Sequence, residues 1–536
     1  MSARARFLGA SCLALGLAAC GGETPRQPDV LFISLDSVRA DALRFDDARL
    51  APHLVELAQR GVVFEEALAG SSWTLPGHAQ MFTGRPPALH GVQLDDISID
   101  PQDTTLGEAL AGAGWFGVGL WTGWYLAGDY GFARGFQLYE NRMTGGEELD
   151  AAYQAAIRDG DVRRAQALFN TRDVSSHRDI TTRNVVDRAR DLLQVVDDDQ
   201  PLFLFAHLFD PHYDYIPPAP WDTAFDPDYR GSMNGQDFYL DPRVYDPTQT
   251  PPRQISERDL DHVRALYQGE IAWTDQELGR LFEAWDAVRD LDNTLIVITS
   301  DHGEEFFEHG GRGHRHTLFD ELLRVPLLIV PPGGAEGGRR AQQVDLSDLM
   351  PTILDYCGLE APPTVVGRSL RPLMEDAAAP GFDDHASLSS LVLTYQPAAG
   401  PLEYTLYDTL RTPAEKLTRV LRVGADRELR LERSLWYDLR ADPRERSPIT
   451  DPADRRLAAA YERLEGTLDA LRAQHAAEPP TPLDQRGTLV RELFQGELGH
   501  LGYGGDEPGA GEEDEGADSP GLAMPWPPGP HPRVER

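Results

Sequence analysis

Asp29-Val30-Leu31-Phe32-Ile33-Ser34-Leu35-Asp36 is a short, unbroken apolar run that ends on a carboxylate. A run of this length without alternation suits a strand buried on both faces, with Asp36 delivered at its C-terminal end. In open α/β sheets, ligands gather at those strand ends. Two later runs repeat the pattern. Leu202-Phe203-Leu204-Phe205-Ala206-His207-Leu208-Phe209 opens onto Asp210-Pro211-His212, and Leu295-Ile296-Val297-Ile298-Thr299 ends in Ser300-Asp301-His302-Gly303. Val62-Val63-Phe64, Val118 to Trp121 and Val325 to Val330 read as further strands. Helices are expected around Leu54 to Ala58 (stopped by Gly61), from Ile180 to Val196, from Ile255 to about Asp290, and from Leu346 to Tyr356. Strands alternating with helices predict an α/β domain over 29–376, with a mixed, largely parallel central sheet flanked by helices.

The texture changes at about Ala377. Leu391 to Tyr395, Tyr404 to Leu410, Leu417 to Val423 and Leu429 to Tyr437 read as short strands without long helices between them. With an amphipathic helix from Leu457 to Leu471, they predict a smaller C-terminal antiparallel α+β subdomain over 377–475. Glu478-Pro479-Pro480-Thr481-Pro482 marks the exit to a Pro-rich linker, a short helix within 484–502 and an acidic tail, spanning 476–536 in all.

The chain of 536 residues opens with Arg4 and Arg6 and an apolar run from Phe7 to Ala19. That run is too short to span a bilayer as a structural helix and reads as an export signal over 1–19. Leu17-Ala18-Ala19-Cys20 resembles a bacterial lipobox, which would lipidate Cys20 and leave 20–28 as a tether from a membrane. An ordinary cleaved signal would give the same route without the anchor. Either way the expected place is the cell envelope, on the periplasmic side or the surface. Cys12 would leave with the signal, so Cys357 is the one free thiol, in an apolar helical setting that suits the core. A net charge of −37 argues against nucleic acid as a partner.

Ser71-Ser72-Trp73-Thr74-Leu75-Pro76-Gly77-His78 predicts a helix that begins at Thr74 and runs to about Thr83, stopped by Gly84. Pro76 suits the first turn, where its missing N–H would be unpaired anyway. Free N–H groups and the positive end of the dipole collect at such a mouth and favour a tetrahedral anion. A hydroxyl placed there is either a plain helix cap or a nucleophile. The strand ends weigh for the nucleophile, because they present Asp36, Asp210 with His212, and Asp301 with His302. Two carboxylates and an imidazole need a cation to be tolerated together. A metal held by Asp36, Asp301 and His302 would contact the Thr74 oxygen, lower its pKa and polarise a substrate oxygen.

Leu35-Asp36, Thr74-Leu75-Pro76-Gly77-His78 with Thr83-Gly84-Arg85 and His90-Gly91, and Ser300-Asp301-His302-Gly303-Glu304 together resemble the sulfatase branch of the alkaline phosphatase superfamily. Arg324-Val325-Pro326-Leu327 and the late Leu435-Trp436-Tyr437-Asp438-Leu439-Arg440-Ala441-Asp442-Pro443-Arg444-Glu445 match in order. The resemblance runs over roughly 28–470 and implies a mixed α/β sandwich with a smaller C-terminal subdomain. The departures from it bear on chemistry. The family oxidises Cys or Ser to formylglycine in a Cys/Ser-x-Pro-x-Arg motif. Thr74 cannot give the aldehyde, because its Cβ carries a methyl group, and His78 stands in place of the maturation arginine. Relatives with threonine there, nucleotide pyrophosphatase/phosphodiesterases and phosphoethanolamine or phosphoglycerol transferases, attack phosphorus through a phosphothreonine. Sulfatases usually place two carboxylates after the first strand, whereas Asp36 is followed by Ser37. The family's Lys-x-His pair is absent from Trp121-Thr122-Gly123-Trp124-Tyr125.

By the same resemblance, His212 matches a histidine that binds the sulfuryl or phosphoryl group, the plainer alternative being a loop histidine packed on Pro211 and Tyr213. Arg315 aligns with the family's active-site lysine and would clamp a substrate oxygen. His78 and His316 join it as candidate substrate-binding residues. His314 and His316 would protonate the leaving group or complete a second metal site, with solvent exposure as the alternative. Asp210 is either a supporting partner or part of that second site. Trp73, Trp121, Trp124 and Tyr125 suit a pocket mouth and core packing equally.

The leading expectation is a metal-dependent hydrolase or transferase that cleaves phosphoric or sulfuric esters through Thr74, on a small-molecule or glycan/lipid ester. One alternative is a catalytically silent binding lipoprotein of this fold, favoured by the absent Lys-x-His pair and opposed by the retained Asp36, Asp301 and His302. The other is a true sulfuric ester hydrolase that does not use formylglycine. The expected cofactor is one divalent ion, or two, drawn from calcium, zinc, manganese and magnesium. His302 as a ligand tilts the choice from calcium toward a transition metal.

Overall fold

The computed structural model describes residues 26–474, except 169–179, 396–402, 424–428 and scattered positions between 96 and 384. The expected export signal, Cys20, the helix expected within 484–502 and the acidic tail lie outside the described residues. Among the described residues no helix is long and apolar enough to cross a membrane.

The strands in chain order are β1 (Asp29–Leu35), β2 (Val62–Leu68), β3 (Phe116–Trp121), β4 (Leu138–Asn141), β5 (Leu202–Leu208), β6 (Thr294–Ser300), β7 (Glu305–Phe306), β8 (Arg312–Gly313), β9 (Arg324–Val330) and β10 (Gly338–Asp345). Eight of them form one sheet in the order β10-β2-β9-β6-β1-β5-β3-β4, while β7 and β8 pair as a small ribbon. Strand β9 runs antiparallel to both its neighbours and every other pair is parallel, so the sheet is mixed and largely parallel as expected. The edge strand β10 was not foreseen. Its Gly338-Arg339-Arg340-Ala341-Gln342-Gln343 half is polar and partly exposed, so it carries no apolar run to mark it.

Side-chain alternation assigns each sheet face its own core. Val30, Phe32, Phe203, Phe205, Leu295 and Val297 point into one core, which is closed by the helices Thr74–Thr83, Leu106–Gly112 and Leu349–Tyr356. Leu31, Ile33, Leu204, Ala206, Ile296 and Ile298 point into the other, beneath Pro52–Ala58, Thr182–Leu193 and the long helix Glu257–Arg289. On the first face, alternation continues past Phe32 to Ser34 and Asp36, past Phe205 to His207, and past Val297 to Thr299 and Asp301. The apolar face thus turns polar at the C-terminal strand ends, beneath the start of the helix Thr74–Thr83.

A four-stranded antiparallel sheet follows: β11 (Ser387–Tyr395), β12 (Glu403–Arg411), β13 (Glu415–Val423) and β14 (Leu429–Asp438), backed by the helix Arg455–Gln474. It docks behind the Thr74 helix. Ser390 N donates to Gly70 O (2.8 Å) and Ser389 Oγ to Ala69 O (3.0 Å). A buried ionic network reinforces the joint. Asp320, just before β9, accepts Arg411 Nη2 at 2.8 Å and Lys416 Nζ at 3.0 Å. Arg411 also reaches Glu66 on β2 (2.9 Å), and Lys416 reaches Glu445 (2.7 Å).

Burial raises the Asp320 carboxyl, but Lys416 and Arg411 outweigh it and hold the group well below the usual carboxylate range. Its contribution to stability is therefore complete above the unfolded pKa near ~4 and is lost as pH falls through the lower folded value. Asp320→Ala leaves two buried cations short of a partner and should destabilise the chain by about 3–5 kcal/mol in urea unfolding. A second prediction concerns Gly77, where an added Cβ would lie 2.7 Å from the Asp301 carbonyl oxygen. Helix propensity alone would make Gly77→Ala stabilising by ~0.5–1 kcal/mol. The contact should win, lowering stability by ~1–3 kcal/mol.

Candidate active site

The helix mouth and the strand ends meet as expected. Thr74 is the first residue of its helix, and the cap position falls to Trp73, in extended conformation and with no side-chain cap. The Thr74 hydroxyl is therefore not spent as a cap, and the Trp73 side chain caps none of the first N–H groups. At the far end Gly84 closes the helix in the left-handed conformation (φ 63°) that glycine adopts without cost.

Asp36, Asp301 and His302 have no exposed surface and offer ligand atoms within 4.8 Å of one another. His302 Nε2 lies 3.5 Å from Thr74 Oγ1, 3.6 Å from Asp36 Oδ1 and 3.5 Å from Asp301 Oδ2. Asp301 Oδ1 accepts the Ser37 and His302 backbone N–H groups (3.3 and 3.0 Å), while its Oδ2 is buried and makes no hydrogen bond. His302 Nδ1 donates to Gly303 O at 2.8 Å, which directs the Nε2 lone pair at the two carboxylates. Acceptors facing one another in a dry site call for a cation, and this donor set fits a divalent ion.

Two residues that were not assigned a role from the sequence complete the surroundings. His207, on β5, lies 3.2 Å through Nε2 from Asp36 Oδ2, and burial pushes its imidazole down to about 4. A lone imidazole on the β5 face that otherwise carries Phe203 and Phe205 was the readable signal. Glu304 receives His314 Nδ1 on one oxygen (3.1 Å) and the Tyr215 hydroxyl on the other (2.9 Å). Burial, with the nearby Asp36 and Asp301 charges adding to it, raises the Glu304 carboxyl well above the usual range.

The remaining candidates are distributed as follows. His302, His314 and His212 form a row of imidazoles, with ring centres 4.4 and 4.7 Å apart. His212 stacks on Phe209 (4.3 Å) and meets the tilted Tyr213 ring (4.2 Å). Arg315 lies beside the helix mouth, its guanidinium 3.9 Å above the Trp73 ring, bound to Asp95 at 2.6 Å and to the Tyr125 hydroxyl at 2.9 Å. His316 is turned to Glu305 (2.7 Å); burial lowers its pKa, but that carboxylate more than compensates and holds the imidazole above its usual range.

His78 is wholly buried. Its Nδ1 donates to Thr74 O (2.9 Å), its Nε2 accepts from Ser34 Oγ (3.0 Å), and burial pushes it down to about 3. Asp210 accepts Thr181 N (2.6 Å), Thr182 N (3.1 Å) and Trp273 Nε1 (2.9 Å), so it ties the start of the helix Thr182–Leu193 to the loop after β5. Trp73 and Tyr125 hold Arg315, whereas Trp121 stacks on Tyr139 and Trp124 packs edge-on against Tyr153.

Comparison with known proteins agrees with this architecture. The Sulfatase family profile matches residues 28–359, and that of the N-sulphoglucosamine sulphohydrolase C-terminal region matches 308–474. An ulvan-active sulfatase of Formosa agariphila is 24% identical over 463 residues, covering 85% of this chain and 82% of its own. An N-acetylglucosamine-6-O-sulfatase of Bacteroides thetaiotaomicron is 23% identical over 553 residues, covering 90% and 92%. The phosphonate monoester hydrolase of Agrobacterium radiobacter shares the fold, with a TM-score of 0.62 at 22% identity over 84% of this chain and 96% of that one. With its profile matched across most of the described chain, this protein belongs to the sulfatase family of ester-bond hydrolases.

Proposed function

We propose that the protein is a metal-dependent hydrolase of phosphoric or sulfuric esters in which Thr74 is the nucleophile. The observation that carries this reading is the Thr74 hydroxyl itself, uncapped at a helix mouth and 3.5 Å from His302 in a buried Asp/Asp/His cluster. Asp36, Asp301, His302 and the Thr74 hydroxyl would hold the ion, which when bound supplies a Lewis acid for the ester oxygen and the developing charge.

The chain's own groups do the rest. The backbone N–H groups of Thr74 and Leu75, at the helix mouth, would face the tetrahedral anion, since Pro76 has none and that of Gly77 donates to Trp73 O. Thr74 Oγ1, deprotonated, bonds to phosphorus or sulfur as the bond to the leaving oxygen breaks. That oxygen takes a proton from His314, which Glu304 orients through Nδ1. Water then gives a proton back to His314, attacks the Thr74 ester and releases the threonine oxygen. Because threonine cannot form the aldehyde, turnover must run through this substituted threonine. Phosphoric esters are the preferred class: threonine at this position and a single carboxylate after β1 both match the phosphotransferase side of the superfamily. The export signal and Cys20 support a lipid-anchored enzyme of the cell envelope.

The test is turnover of aryl phosphodiester, phosphomonoester, phosphonate and sulfate esters, with Thr74→Ala as control. Phosphodiester or phosphonate turnover is expected, falling by at least ~10³-fold in Thr74→Ala. Sulfate as sole substrate would reverse the class preference, and unchanged activity in Thr74→Ala would overturn the reading. His314→Ala should cost about 10²–10⁴-fold with phenyl esters and much less with 4-nitrophenyl esters, whose leaving group needs no proton. Chelation should abolish turnover, and adding back a single divalent metal should restore it.

A further inference from the structure

We infer that His207 is a ligand of the same metal, its Nε2 standing where the family's second carboxylate after β1 is missing, so that two imidazoles and two carboxylates surround the ion. This rests on the metal-dependent reading above and extends it to the donor set and the metal class.

Sheet register puts the residue in place. His207 pairs with Ser34 across β1 and β5, so it shares the sheet face of Ser34 and hence of Asp36. Its tautomer is set from behind: Nδ1 lies 3.0 Å from Thr122 O, an oxygen that can only accept. Nε2 therefore presents a lone pair. That atom is buried, makes no hydrogen bond, and lies 3.2 Å from Asp36 Oδ2. An imidazole oriented by a backbone carbonyl on its far nitrogen is the usual arrangement of a metal-bound histidine. Thr122 belongs to the stretch where the resemblance expects a Lys-x-His pair, and here that stretch supplies the orienting carbonyl.

A single proton could fill the gap between His207 and Asp36, but it would leave two others open. His302 Nε2 faces Asp36 Oδ1 at 3.6 Å and Asp301 Oδ2 at 3.5 Å. One cation answers all three once the donors draw together on it, since His207 groups within 4.8 Å with Asp301 and His78, and Asp36, Asp301 and His302 form a second group sharing Asp301. Neighbouring ligands bound at ~2.0–2.2 Å lie about 2.8–3.6 Å apart for tetrahedral to octahedral angles, which spans these separations. His78, the other imidazole near Asp301, is not available, because Thr74 O and Ser34 Oγ occupy its two nitrogens. Two nitrogen donors shift the preference from calcium and magnesium toward zinc, manganese, iron or cobalt.

The test is X-ray absorption at the zinc edge on the full chain, stripped with chelator and reloaded with one equivalent of Zn²⁺. Two imidazoles are expected in the wild-type shell and one in His207→Ala, with zinc affinity in competition against a chromophoric chelator lowered at least ~100-fold. One imidazole in the wild type, or two that persist in His207→Ala, would overturn the assignment while leaving Thr74 chemistry intact. No zinc uptake would overturn it together with the metal-dependent reading. If His207→Ala does not fold, the wild-type imidazole count decides alone. Because the readout needs no turnover, two imidazoles in a chain that hydrolyses no ester would uphold the ligand and sink the enzyme reading.

Discussion

Two carboxylates, Asp36 and Asp301, are buried completely at the C-terminal ends of paired strands, and the local structure is built around tolerating them. Taking one such ion out of water costs several kcal/mol even after relaxation, and a second like charge beside it adds to that. Part of the compensation is fixed in the backbone. Ser37 adopts a positive φ of 60°, and its N–H and that of His302 both point at Asp301 Oδ1. The Ser37 hydroxyl donates to Asp36 at 2.9 Å. Asp301 Oδ2 is left facing His302 Nε2, and the group they form with Asp36 fits a divalent cation.

The same constraint explains how tightly the Thr74 helix is held. Gly77 lies against the Asp301 carbonyl, so the helix can approach the strand end only where a side chain is missing. His78 bonds the helix to Ser34 on β1 from within. The C-terminal sheet closes the outside, hydrogen-bonding the Ala69-Gly70 backbone ahead of the helix and anchoring itself through Asp320, Arg411 and Lys416. Among the described residues that sheet contributes no atom to the Asp36, Asp301 and His302 group. Its part is to fix where Thr74 stands against the strand ends.

Around this centre two residues expected from the family resemblance to serve the site are held by partners of their own. Asp95 answers the charge of Arg315, and Trp73 covers one face of its guanidinium. His78 stands where the resemblance expects a maturation arginine, and its buried ring ties the helix to Ser34. A threonine that cannot be oxidised needs no such maturation partner, so the two replacements are chemically consistent with each other.

The sequence by itself determined the apolar strands that end in Asp36 and Asp301-His302, the helix beginning at Thr74, and the change to an antiparallel subdomain near residue 377. These are local signals: unbroken apolar runs, a proline in a first turn, glycines at helix ends. Only the tertiary structure decided the rest. β10 is a polar edge strand with no run to announce it, and the reversal of β9 depends on its partners. His207 is one imidazole in an apolar strand, and it acquires meaning through the register that sets it beside Ser34 and Asp36. Arg315 and His316 read as substrate-binding candidates in a glycine-rich loop, and only the fold pairs them with Asp95, from elsewhere in the chain, and Glu305, across the β7–β8 ribbon. A residue's type is written in the chain, but the partner that spends or frees its charge is set by packing between distant segments.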